Sequence, residues 1–152
     1  MRRFIMKRIV TAWLALLATA AHAGAFQLVT AQEAALPPDE ALEFVLRGSP
    51  TRRPAVVVIS PAQNAGLVTS PVSLKIRFQA FGGAKINSES VVMTYMRKPA
   101  INLTQRVRSF IRNDGIDVPD AELPPGAHAF RIEVRDTDGR AGGGIFTIQV
   151  AN

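Results

Sequence analysis

The side chains best suited to chemistry lie in the last quarter of the chain, where a histidine is followed by two aspartates. His128 is a possible metal ligand or general base, because imidazole titrates near neutral pH. Asp136 and Asp138 have the spacing of the first ligands of a calcium loop. Positions 5 and 12 of such a loop would be Arg140 and Thr147, which do not fit the EF-hand pattern. We therefore assign no metal and no cofactor, and keep His128, Asp136 and Asp138 only as candidates.

These residues also fit a structural role in a β-hairpin. Apolar residues alternate with charged ones after His128, and the Asp-Gly at 138–139 is a strong hairpin signal. A second alternating run ends at Val150. We interpret Leu123–Val150 as a hairpin in which His128 lies at the head of a strand and hydrogen-bonds back to a loop.

A second group of candidates is defined by charge. Leu103, Val107, Phe110 and Ile111 form an apolar stripe at helical spacing, which predicts a helix from Thr104 to Arg112 with Thr104 as its N-cap and Gly115 beyond its end. Residues 116–122 are predicted to be an acidic loop. The helix and the loop give a candidate partner-binding surface, although each set could simply be solvated: Arg106, Arg108, Arg112, Asp117, Asp120 and Glu122.

No motif in the chain is typical of an enzyme. There is no nucleophile elbow, no His-Glu-x-x-His and no phosphate-binding glycine loop, so we predict that the protein is not an enzyme. Only 7% of the residues are aromatic, which leaves little for a base-stacking platform. We expect no nucleic-acid partner.

The first 23 residues are typical of a signal peptide. Arg2, Arg3, Lys7 and Arg8 precede an apolar stretch, and Ala21-His22-Ala23 is a small-x-small cleavage site. The apolar stretch is shorter than the roughly 20 residues that a membrane-spanning helix needs. We therefore predict cleavage after Ala23, a periplasmic or secreted product, and no stable membrane anchor.

Composition sets further bounds on the exported chain. The protein has 18 basic and 12 acidic residues. Four of the basic residues belong to the predicted signal peptide, which leaves 14 against 12 and no evidence of a basic nucleic-acid-binding protein. There is no cysteine, so a disulfide framework and a lipid-modified cysteine are both excluded.

The remaining chain divides at about residue 54. Residues 24–53 are predicted to be an N-terminal extension, either a tether or a pair of short helices. Thr30 and Glu33 have capping-box spacing, and 39–47 has the pattern of a second short helix. Residues 54–152 are predicted to be one domain.

The pattern of that domain is all-β. Val56–Ile59 is a β-branched strand, and Val72–Ala80 alternates apolar and polar residues without interruption. Ser90–Met96 is the next predicted strand. Together with the hairpin, these strands predict an all-β fold, an antiparallel β-sandwich with one inserted short α-helix.

Both halves of this domain resemble known families. Ser60-Pro61 and Ser70-Pro71 before an alternating strand, and the series from Pro125-Gly126 to Asp138-Gly139, resemble bacterial immunoglobulin-like domains. They also resemble the periplasmic copper-resistance C-type sandwich. That family has a histidine where this chain has Arg140, so the resemblance implies the sandwich more than the copper site.

Three functional hypotheses follow. The first is an exported, non-catalytic immunoglobulin-like module that binds or supports a protein of the cell envelope. The second is a periplasmic carrier of a copper-type metal. The third is a small periplasmic hydrolase that uses His128.

Overall fold

A computed structural model describes residues 25–39 and 52–152. Within these residues the chain forms ten strands and three short helical segments. In order they are β1 Phe26–Gln27, α1 Ala31–Ala34, β2 Ala55–Ser60, β3 Leu67–Val68, β4 Val72–Gln79, β5 Ile86–Tyr95, β6 Ile101–Asn102, α2 Thr104–Val107, a 3₁₀ turn at Arg108–Phe110, β7 Ile111–Arg112, β8 Gly115–Glu122, β9 Gly126–Asp136 and β10 Ala141–Val150.

The strands form two sheets. Sheet one has the order β1-β8-β4-β2, with β7 also paired to β8, and sheet two has the order β3-β10-β9-β5-β6. The long neighbours are antiparallel, while the two-residue strands β1 and β3 pair in parallel with β8 and β10. The predicted all-β sandwich with one short inserted helix is confirmed. The two-sheet architecture alone does not show the likeness to the copper-resistance family.

Strand β4 shows why the sandwich forms. Val72, Leu74, Ile76 and Phe78 are buried, and the residues between them are exposed. A shift of one residue would bury Lys75 and Arg77 instead, so the hydrophobic effect fixes the register. Each large apolar side chain on this face contributes roughly 1.5–3 kcal/mol by burial.

The predicted hairpin is β9–β10. Its strands pair without interruption from Gly126 opposite Val150 to Arg135 opposite Ala141. The turn is closed by the Gly139 amide, which donates to the Asp136 carbonyl at 3.0 Å, and Gly139 has a φ of 78°. Glycine suits this conformation because it lacks a Cβ.

Glycines also close one side of the sandwich. A Cβ built on Gly142 would collide with the carbonyl of Pro54, just before β2. The backbone of β10 in sheet two therefore lies directly against the start of β2 in sheet one. Gly144 is less constrained, since a Cβ there would make ordinary contacts with Val56.

The region between β6 and β9 differs from the sequence prediction. Residues 115–122 are strand β8, not an acidic loop, and β8 lies between β4 on one side and β1 and β7 on the other. Ile116 and Val118 fill the core, while Asp117, Asp120 and Glu122 are exposed. Gly115 does not end a helix; it begins β8 at a close approach to the carbonyl of Ile76.

The predicted helix is also shorter than expected. It has one α-helical turn, followed by a 3₁₀ turn and β7. Thr104 is not its N-cap: its hydroxyl accepts a hydrogen bond from the Met93 amide at 3.0 Å, and Leu103 occupies the cap position. A 3₁₀ turn and the pairing of β7 with β8 thus replace the rest of the helix that the apolar stripe predicted.

Residues 25–39 pack on the sandwich, and we refer to them as the N-terminal strap. Leu28 and Val29 are buried in the core, and β1 pairs with β8. The predicted capping box is confirmed, because the Thr30 hydroxyl accepts from the Glu33 amide and the Glu33 carboxylate accepts from the Thr30 amide. The domain boundary at residue 54 stays a prediction.

Two earlier predictions lie outside the described residues: the signal peptide at 1–23, and most of the short helix at 39–47. Within the described ranges, no helix is long and apolar enough to cross a membrane.

Candidate functional site

His128 lies in a buried polar cluster at one end of sheet two. Tyr95 ends β5 and pairs with Phe130 of β9, so His128, two residues earlier on the same face, is brought next to the Tyr95 ring. Both residues are buried, with His128 only 1% exposed. Arg97 follows β5 and turns its guanidinium back over the Tyr95 ring, 4.9 Å from the ring centroid. We call these three side chains the Tyr95 cluster.

Hydrogen bonds run through the cluster in one direction. The Nε of Arg97 donates to the Tyr95 hydroxyl at 2.8 Å. That hydroxyl lies 2.9 Å from Nδ1 of His128, and Nε2 of His128 lies 2.7 Å from the carbonyl of Pro124. Arg97 also donates to the carbonyl of Ala127 at 2.8 Å. The cluster therefore joins β5, β9 and the connection that leads into β9.

These partners fix the tautomer of His128. Arginine can only donate and a carbonyl can only accept, so the Tyr95 hydroxyl accepts from Arg97 and donates its own proton to Nδ1. Nε2 must then carry the imidazole proton that is donated to Pro124. In this arrangement His128 is neutral, and both of its nitrogens are hydrogen-bonded.

The electrostatics agree with a neutral imidazole. Burial lowers the pKa of His128 below its ordinary value; the bond to Pro124 opposes this, and the nearby charge of Arg97 adds to it. Burial also raises the pKa of Tyr95, against the opposing effect of Arg97. A histidine whose nitrogens bond to a tyrosine and a backbone carbonyl has no nitrogen left for a metal or a substrate proton.

Asp136 organises the turn at the other end of β9. Its buried carboxylate accepts from the amides of Asp138 and Arg140 and from the Nε of Arg140, at 2.8 to 3.1 Å. Burial raises the pKa of Asp136, but the hydrogen bonds from Arg140 and Asp138 outweigh it and the pKa is lowered. Arg140 further donates to Asp138 and to the carbonyl of Phe81, which braces the β9–β10 turn against the loop after β4.

The three metal candidates do not come together. His128 and Asp136 lie on one face of β9 but eight residues apart, which corresponds to roughly 27 Å along a strand. Asp138 pairs with Arg140. Across the described residues, no three His, Asp or Glu side chains are grouped to hold a metal ion.

Of the predicted partner-binding residues, Arg106 has an internal role. It forms a bidentate ion pair with Glu33 of the strap, at 2.8 and 2.5 Å, and donates to the carbonyl of Leu28 at 3.0 Å. The Arg106 hydrogen bonds lower the pKa of the Glu33 carboxyl to about 2. Arg106 therefore binds the N-terminal strap to α2.

The other five residues of that set are exposed and lie in three parts of the fold. Arg108 is in the 3₁₀ turn, and Asp120 and Glu122 lie toward the end of β8. Arg112 and Asp117 line an open depression on sheet one. There Asp117 forms a solvent-exposed ion pair of 3.1 Å with Lys75, the kind that contributes little to stability.

That depression belongs to a mixed apolar and basic surface, which we call the outer face of sheet one. Ile59 of β2 and Arg77 of β4 line it beside Arg112. Val57 pairs with Arg77 and, like Ile59, is 40% exposed. The members of this face are Val57, Ile59, Lys75, Arg77, Arg112 and Asp117.

Sequence reasoning missed the partners of His128 and the exposed side of β2. Tyr95 is the only tyrosine in the chain and ends an apolar strand, which was a usable signal for a buried hydroxyl. Nothing in the sequence indicated Arg97, because its place depends on the turn after β5. The β-branched run at 56–59 predicted a strand but did not indicate that Val57 and Ile59 are exposed.

The fold and these sites define the class of the protein as an all-β, two-sheet sandwich with internally bonded polar clusters. Comparisons with protein-family models, with curated proteins and with solved structures find no match.

Proposed function

We propose that the protein is an exported, non-catalytic immunoglobulin-like module that binds or supports another component of the cell envelope. The observation that carries the proposal is the contrast between its inside and its surface. His128 and Asp136, the side chains best suited to chemistry, are used in internal hydrogen bonds. The outer face of sheet one, in contrast, exposes Val57 and Ile59 beside arginines.

The composition of this face suits protein recognition. Interface centres are enriched in apolar and arginine side chains and depleted in lysine and acidic ones. Val57, Ile59 and Arg77 supply the first kind, and no ion pair of Arg77 is found within residues 25–39 and 52–152. The face also carries Lys75 and Asp117, of the second kind, which pair with each other. Val57, Ile59 and Arg77 project from paired strands, so little backbone conformational entropy is lost on binding.

The cellular location in this proposal rests on the N-terminal sequence. Residues 1–23 have the pattern of an export signal. The likeness to bacterial immunoglobulin-like domains belongs to the same proposal. The metal-carrier and hydrolase hypotheses gain no support from the geometry of His128 and Asp136.

A capture experiment with matched variants tests the proposal. The purified protein is immobilised and incubated with envelope extract of the producing cells, and retained proteins are quantified. The double variant Val57→Ser, Ile59→Ser should lose a specific partner by tenfold or more. Leu67→Ser is the matched control, because Leu67 is 72% exposed, apolar and in sheet two.

Equal retention by the parent, the double variant and the control would overturn the proposed face. Circular dichroism and the melting temperature of each variant show whether it is folded. If the double variant does not fold, Arg77→Glu replaces it, since Arg77 points to solvent and its reversal of charge should weaken the same partner.

A further inference from the structure

The Tyr95 cluster lies beneath the point where the N-terminal strap ends. The Asp39 amide donates to the carbonyl of Met96, and the Lys98 amide donates to the carbonyl of Pro37. Pro38 forms an isolated bridge with Arg97 between them. The backbone on either side of Arg97, at Met96 and Lys98, thus holds the strap. The Arg97 side chain is held by Tyr95 and, through Tyr95, by His128.

Protonation of His128 conflicts with this arrangement. An imidazolium donates from both nitrogens, so Nδ1 could no longer accept the Tyr95 proton. Arg97 and His128 would then both donate to the Tyr95 oxygen, and its hydroxyl proton would need an acceptor that the cluster does not provide. Two positive charges would also share a buried space, which costs free energy.

We propose that the Tyr95 cluster is an acid-sensitive latch for the N-terminal strap. When the surroundings turn acidic, His128 takes up a proton, Arg97 leaves Tyr95, and the end of the strap at residues 37–39 detaches from the turn after β5. Detachment frees only this end of the strap, while Leu28 and Val29 stay buried in the core and β1 stays paired with β8.

Between pH 7.5 and pH 5, His128 is the group of this region whose protonation opens the latch. Arg97 faces it from the turn after β5, and Glu33 of α1 acts on Tyr95 through its charge. Glu33 is neutralised by Arg106 of α2 and, with a pKa of about 2, keeps its charge at pH 5. The Glu33–Arg106 attachment therefore persists while the attachment at Arg97 opens.

Hydrogen exchange measured by mass spectrometry tests the latch in the purified protein. The parent and His128→Gln are compared at equal pH, so that the intrinsic effect of pH on exchange cancels. A glutamine can donate to Pro124 but does not titrate. The measured quantity is the exchange rate of the parent divided by that of the variant, in peptides covering 34–39 and 96–98. Without a latch, this ratio is the same at pH 7.5 and pH 5.

The latch predicts that this ratio rises between pH 7.5 and pH 5. If His128 takes its usual pKa of about 6.5 in the opened state, the rise reaches roughly 30-fold at pH 5. Peptides of β10 should show no rise, because they lie away from the strap. An unchanged ratio in the strap peptides would overturn the proposal.

A second measurement covers the case in which His128→Gln does not fold. The imidazole signals of the parent are followed by NMR from pH 7.5 to 4.5, together with the amide signals of Lys98 and Asp39. The latch predicts that protonation of His128 and loss of these two amide signals occur over the same pH range. Amide signals that persist while the imidazole titrates would contradict it.

Discussion

At the scale of single residues, hydrogen-bonding capacity separates structural from chemical roles. His128 and Asp136 are the residues that a motif search would select, yet each has its polar atoms bonded within the molecule. Satisfied buried polar groups stabilise and orient a fold, whereas a group left unsatisfied costs about 1–3 kcal/mol. The Tyr95 hydroxyl is the member on which the others depend.

Tyr95→Phe should therefore destabilise the protein more than the loss of one hydroxyl on the surface. It leaves Nε of Arg97 without its acceptor and Nδ1 of His128 without its donor. We expect a loss of about 2–3 kcal/mol in the free energy of unfolding, measured by urea denaturation at pH 7.5. Thr147→Val, which removes an exposed hydroxyl from β10, is the control and should change stability by less than about 0.5 kcal/mol. Equal effects would show that the cluster adds nothing to stability.

At the scale of elements, the sequence predicted β4 and the β9–β10 hairpin because their alternation is uninterrupted and their turn chemistry is strong. The sequence prediction was wrong for β8, because Pro119 interrupts the alternation and three acidic residues suggest a loop. Pairing with β4 makes this segment a strand nonetheless. The apolar stripe from Leu103 to Ile111 was read as a helix for a similar reason: local periodicity does not reveal that β5 and β8 compete for its hydrogen bonds.

One ion pair, between Glu33 and Arg106, contributes to the attachment of the strap. Glu33→Gln should weaken it, with a loss of about 1–2 kcal/mol at pH 7, reduced from the bare pKa shift because Arg106 is partly exposed. The carboxylate is more acidic in the folded protein than its ordinary value of 4.5, so its contribution is complete above that value and is lost as the pH falls towards about 2. The free energy of unfolding, measured by denaturation at pH 7 and pH 3, should differ less between the parent and the variant at pH 3. Glu133→Gln, an exposed change on β9, is the control.

The glycines of β10 give an element-scale prediction with its own internal control. Gly142→Ala should destabilise the protein by more than about 2 kcal/mol, since the new methyl group would collide with the Pro54 backbone and force β2 away from β10. Gly144→Ala, two residues along the same strand, should be tolerated. Thermal melts of both variants check this, and similar melting temperatures would show that β2 and β10 do not need their close approach.

At the scale of the whole molecule, the sandwich is closed on both sides. The glycines of β10 bring it against β2 on one side, and the strap with α2 covers the other. The two sheet faces and the loops remain for contact with other molecules, and β2, which within the described residues pairs only with β4, borders the outer face of sheet one. This favours docking on the outer face of sheet one.

The most direct test of the proposed function is site-specific photo-crosslinking in the cells that produce the protein. A photoreactive amino acid replaces Ile59 on the outer face of sheet one, or Thr147 on the opposite side of the molecule as the control. The proposal predicts one discrete crosslinked product from position 59 and none from position 147, with the product located in the envelope fraction. No product from position 59, or the same products from both positions, would contradict it.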